Sequence, residues 1–248
     1  MKKYGENQDA MFTPQNVNYK EPNSLTKTFS SSKILAPNKI LLIYVLLFIV
    51  FILVGLQKAI PIEHLFRDPL AITNGLFYFG LFSNIGILLW CASATVCFFS
   101  FLMFKRLGCQ HAWHPFLLAS GSLTLLLLLD DFFLLHEVAF PDYLGISSHA
   151  VVGTYGAILV FYLARFYKRI QKTNYKFLIF ALVFMAGSIF VDLFADSSIL
   201  SQFKSIFFGN GKIYLIEDSF KFFGIVSWLI YFVHVGLQQA QLTVLRRD

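Results

Sequence analysis

Apolar residues in this chain come in long, nearly unbroken runs, separated by short polar or basic segments. The run ILLIYVLLFIVFILVGL at 40–56 is typical: neither alternation nor a polar stripe marks it, so length is the informative quantity. At 1.5 Å per residue, about 20 helical residues cross a hydrocarbon layer of about 30 Å. Six segments meet that length, near 40–60, 76–104, 115–138, 148–168, 175–198 and 214–238. They predict an all-α polytopic membrane protein built as a bundle of six transmembrane helices. The second, fifth and sixth carry Gly, Ser or Asn, the small and polar residues that let membrane helices pack closely.

Residues 1–39 lack any apolar periodicity and are rich in Asn, Ser, Pro and Lys, which predicts a disordered cytoplasmic tail. The transmembrane domain is expected over 40–238 and a short cytoplasmic tail over 239–248. No cleavage pattern follows the first apolar run, so that run is expected to stay as a helix.

Composition agrees with the segment pattern: 57% of residues are hydrophobic and 14% charged, against about 25% charged in soluble domains. The formal net charge of +6 is therefore read as a membrane-topology signal, and nucleic acid is not an expected partner. With the N-terminus inside, fifteen of the twenty Lys and Arg residues fall on inner segments, among them Lys105, Arg106, Arg165, Lys168, Arg169, Lys172 and Lys176. The positive-inside rule then places both termini in the cytoplasm. Cys91, Cys97 and Cys109 have no metal-binding or redox spacing and read as small packing residues. Trp90, Trp228 and Tyr231 read as packing and interface anchors.

In that topology the ten carboxylates outside the tails all lie in the outer half or in outer loops, several of them within helices. Asp130 and Glu137 stand seven residues apart, which on one continuous helix brings them within about 20° of each other. Ser188, Asp192 and Asp196 step by four along the fifth segment. Glu217 and Lys221 are i, i+4 neighbours at the outer start of the sixth. Asn84 is expected two to three turns into the second. Asp131 and His136 point away from the Asp130–Glu137 stripe, toward neighbouring helices or the interface.

An ionisable group in hydrocarbon costs at least a few kcal/mol, so such a cluster persists only when paired, protonated, metal-bound or hydrated, and it defaults to a functional site. Asp130, Glu137, Asp192, Glu217 and Lys221 are the candidate catalytic groups. Asp130, His136, Glu137, His149, Asp192 and Glu217 are candidate ligands for a divalent zinc, iron or manganese ion, because carboxylate oxygens and imidazole nitrogens suit these metals. The leading expectation is a metal-dependent membrane-embedded enzyme, of hydrolase or oxidase type, acting on a lipid-like substrate. The alternatives are a small ion- or proton-handling transport protein, or a structural or assembly subunit with a buried ion-pair network. No polar track toward the cytoplasm is evident on helices one, two and four, which counts against through-transport. Expected partners are membrane lipids, and a second copy or a larger membrane complex.

Overall fold

The computed structural model describes residues 37–109, 111–196 and 209–245, so most of the expected N-terminal tail lies outside the described residues. Described elements are all helical, with no β-strand among them. Two compact units partition the chain at Gly75.

In the first unit, α1 (Pro37–Leu56) is a 20-residue apolar helix without acidic or basic residues at its ends. Its side chains from Leu41 onward are almost all exposed, as suits a helix whose surroundings are as apolar as itself. Two short helices follow, α2 (Ile62–Phe66) and α3 (Pro69–Thr73). Asp68 starts α3 by accepting the Leu70 N–H at 2.7 Å, and Pro69 occupies the first turn, where its missing N–H costs nothing.

The second unit contains α4 (Leu81–Arg106), α5 (His114–Phe133), α6 (Phe140–Leu144), α7 (Ser148–Ile170), α8 (Lys176–Asp196) and α9 (Gly209–Leu245). Four stretches are long and apolar enough to cross a membrane: Leu81–Arg106, His111–Phe133, Ser148–Ile170 and Leu215–Leu245. α9 continues to Leu245, so residues 239–245, expected in a tail, extend that helix. α4 packs on α5 and α9, α8 packs on α9, and α7 lies along α5, from Phe166 beside Phe116 to Tyr155 beside Asp130. Their shared core holds Trp90, Phe104, Phe116, Trp228, Tyr231 and Phe232.

Polarity is arranged as in a membrane bundle. Leu88, Phe99, Phe161, Val183 and Leu237 face outward and exposed, whereas Ser93, Ser120, Thr124, Asp130 and Gln239 are buried. α8 and α9 approach closely because glycine lines their contact. A Cβ at Gly187 would stand 2.8 Å from the Phe220 ring, and one at Gly224 would stand 2.8 Å from Met185 and 3.3 Å from the Ala181 carbonyl. Small residues let membrane helices pack with little apolar driving force.

Two expected boundaries move. α4 starts at Leu81, not near residue 76, so Asn84 lies in its first turn and is exposed. α5 ends at Phe133, not near residue 138, because Leu134 takes a left-handed backbone conformation at φ 50°. The chain then makes a π-helical turn over Leu135–Ala139 before α6. We expect Gly224→Leu to overpack the α8–α9 contact and destabilise the fold by about 1–3 kcal/mol, seen as a lowered melting temperature of the detergent-purified protein. Gly153→Leu, at a glycine with open space around it, serves as the control and should leave the melting temperature nearly unchanged.

Candidate functional site

The end of α5 sets the geometry of the polar site. Asp130 is 4% exposed, and three donors converge on it. Its Oδ1 accepts the backbone N–H of His136 at 3.0 Å and the Tyr155 hydroxyl at 3.0 Å. Its Oδ2 meets His136 Nδ1 at 2.5 Å. The chain can leave the helix after Phe133 because the Asp130 side chain captures a backbone N–H that the broken helix no longer satisfies, a competition typical of short acidic side chains. The same break delivers the His136 ring to the carboxylate.

Glu137 consequently does not share a helical face with Asp130. It lies on the π turn, half-exposed, with Oε1 3.5 Å from His136 Nε2. The expectation of an Asp130–Glu137 stripe is thus replaced by a row in which His136 stands between the two carboxylates. The His136 imidazole sits outside the spanning segments. Its pKa is raised, first by the hydrogen bond to Asp130 and then by the charges of Asp130 and Glu137, against burial and the Lys221 charge.

Asp131 forms the second node, one residue along and on another face. Lys221 Nζ lies 2.8 Å from its Oδ1, and Trp90 Nε1 donates to its Oδ2 at 2.8 Å. The Asp131 side chain is 11% exposed and that of Lys221 41%, so the pair opens to the surroundings on the lysine side. Trp90 in turn packs edge-on against Trp228, with centroids 6.1 Å apart. The ion pair is therefore joined to the centre of the core through two indoles.

Of the residues expected to act together, the structure assembles Asp130, His136, Glu137 and Lys221. Glu217 is half-buried and within electrostatic reach of Asp192, Asp218, Lys221 and Glu137. Asp192 is exposed on α8, and His149 is exposed in the first turn of α7. Asp131 and His136, which the sequence pattern directs away from the Asp130–Glu137 stripe, prove to be the hubs. Trp90 and Tyr155 were not among the expected site residues, since aromatic residues in apolar runs look like packing until their polar atoms find a partner.

Among the described residues no three of His, Cys, Asp and Glu stand close enough to hold an ion. Both oxygens of Asp130 and of Asp131 already have donors.

Below the acids, a series of polar contacts follows the core inward. Trp228 Nε1 donates to Thr124 Oγ1 at 3.0 Å, Ser120 Oγ and Tyr162 OH lie 2.7 Å apart, and Thr173 Oγ1 and Tyr231 OH lie 3.2 Å apart. Ser93 and Ser100 of α4 are also buried. Ser93, Ser100 and Tyr162 thus place buried polar groups on α4 and α7, where the sequence shows no continuous polar track. These hydroxyls are hard to see in sequence because Ser and Thr inside helices satisfy themselves on the preceding turn, as Ser93, Ser120 and Thr124 do here.

Fold and site together define a protein whose described residues are all-helical, with four helices long and apolar enough to cross a membrane and an ion-paired acid–histidine cluster at one end of the bundle. Residues 40–235 match a family described as a domain of unknown function (DUF8692), and the chain belongs to that family. No curated protein and no solved structure matches the chain.

Removing Lys221 should expose how far Asp131 depends on it. We expect Lys221→Met to cost about 2 kcal/mol by leaving a half-paired carboxylate. Adding Asp131→Asn should return most of that loss. A double-mutant cycle on thermal unfolding measures the coupling; purely additive losses would contradict a direct pair.

Proposed function

We propose that this chain is a six-span integral membrane protein with both termini cytoplasmic, and that it performs hydrolytic acid–base chemistry on an amphiphile at the outer ends of its helices. Two further helices support the count. α1 has 20 residues and α8 has 21, each about 30 Å long at 1.5 Å per residue. The distribution of Lys and Arg supports the orientation.

The chemical reading rests on one observation: Asp130 holds His136 by both its backbone N–H and Nδ1. A carboxylate on Nδ1 fixes the tautomer, leaving Nε2 as the atom that takes or gives a proton. Nε2 faces Glu137, whose charge stabilises the imidazolium once formed. Neutral His136 accepts a proton from an attacking water, and the imidazolium returns it to the leaving group. Tyr155 secures Asp130, while Lys221 and Trp90 hold Asp131 and the outer end of α5. Lys221 is a positioning residue in this scheme.

The buried contacts Thr124–Trp228, Ser120–Tyr162 and Thr173–Tyr231 favour a second reading, proton movement toward the inner side. The two readings separate in nanodiscs and liposomes. A panel of fluorogenic ester and phosphoester amphiphiles should be turned over by the wild type. His136→Gln should be about 10²–10⁴-fold slower while keeping the wild-type melting profile. Equal turnover by the two proteins would overturn the acid–base reading, and a His136-dependent proton flux without turnover would establish the second.

A further inference from the structure

A cleft separates the outer turns of α4 and α9, a few residues from the acid–histidine row. It is open at its mouth and has a volume of about 50 Å³. Phe82, Phe222 and Ile225 supply its apolar walls, and Asp131, Asp218, Lys221 and Ser83 its polar groups. Asp218, Lys221, Phe222 and Ile225 follow the i, i+3, i+4, i+7 spacing, so α9 presents all four on one face. Gly86 forms part of the lining, and a Cβ there would come within 3.3 Å of Ile225.

The polar groups are not used up. Lys221 spends one donor on Asp131, and an ammonium group has three. Asp218 is exposed and has no hydrogen bond or ion pair among the described residues. The cleft thus offers one free acceptor and one free cationic donor, three residues apart on the same helical face. Phe82 and Phe222 meet edge to face with centroids 6.0 Å apart, and aromatic faces attract a desolvated cation.

We infer that this cleft binds the headgroup of a zwitterionic phospholipid with a primary amine, the phosphoethanolamine type. The ammonium enters the cleft toward Asp218 and the phenyl rings. The phosphate stays at the mouth, on the spare donors of Lys221 and on the Ser83 hydroxyl. The acyl chains remain outside, against the exposed apolar surface of the helices. Size supports this choice. At about 10–15 Å³ per water-sized group, the cleft holds roughly three to five such groups, enough for a nitrogen and two methylenes. A trimethylammonium is bulkier and has no N–H to give Asp218. A purely anionic headgroup would leave Asp218 facing negative charge.

This inference goes beyond the acid–base reading and stands without it, since it needs no proton transfer by His136. The test is native mass spectrometry of the full-length protein in detergent, with phosphatidylethanolamine, phosphatidylcholine and phosphatidylglycerol of matched chains, and with free phosphoethanolamine. Wild type should retain phosphatidylethanolamine about tenfold over the other two lipids, a difference of about 1.4 kcal/mol. Free phosphoethanolamine should compete only weakly. Asp218→Asn, at an exposed position, should erase the preference, and Ser83→Leu should block the cleft and lower retention. His136→Gln should keep the preference, which separates failure here from failure of the acid–base reading. Equal retention of the ethanolamine and choline lipids by wild type would overturn the inference. So would an unchanged preference in Asp218→Asn, or free phosphoethanolamine binding as tightly as the lipid.

Discussion

A carboxylate brought into the end of an apolar bundle must find donors, and the burial of Asp130 is the constraint on which this end of the bundle depends. Leaving such a group unpaired in low dielectric costs several kcal/mol. Asp130 meets the requirement with two donors from His136 and one from Tyr155. Meeting it that way has structural consequences. The chain must leave the helical path after Phe133, Leu134 must take a left-handed conformation, and α7 must bring Tyr155 alongside. The break in the helix, the position of α7 and the placement of an imidazole at the surface are three results of one desolvation problem.

Asp131 solves the same problem by different means. Its partners come from α9 through Lys221 and from α4 through Trp90. Adjacent acids on one helix point about 100° apart, so the two recruit separate sets of elements. Together they tie the C-terminal end of α5 to α4, α7 and α9. The same residues that satisfy the charges therefore hold the helices in register. This dual use explains why a site with several ionisable groups contributes order to a bundle whose helices gain little from apolar contact with one another.

Much of the helical layout was legible in the sequence, because a run long enough to cross hydrocarbon is a strong length signal. The segments near 148–168 and 175–198 lie close to α7 and α8. The end of α5 was not legible. Leu134 is neither Gly nor Asn, so nothing in the local chemistry marks a left-handed residue there, and continuing the helical wheel through it pairs Asp130 with Glu137. That single boundary moved His136 from the periphery to the centre. Lys221 is legible as a candidate site residue, but its contact to Asp131 depends on how α5 and α9 rotate against each other, which a pattern along one segment does not fix. Trp90 and Tyr155 were invisible for another reason: an indole N–H or a phenol in an apolar run carries no sign of whether a carboxylate will lie opposite.

The central claim is that Asp130 fixes the tautomer and charge of His136. Nitrogen-15 NMR of the histidine-labelled protein tests it directly, following His136 through a pH titration. The account predicts a proton on Nδ1 in the neutral form and a titration midpoint above the ordinary value of about 6.5, both lost in Asp130→Asn. A His136 that titrates normally in the wild type, or that keeps the same tautomer and midpoint in Asp130→Asn, would contradict it.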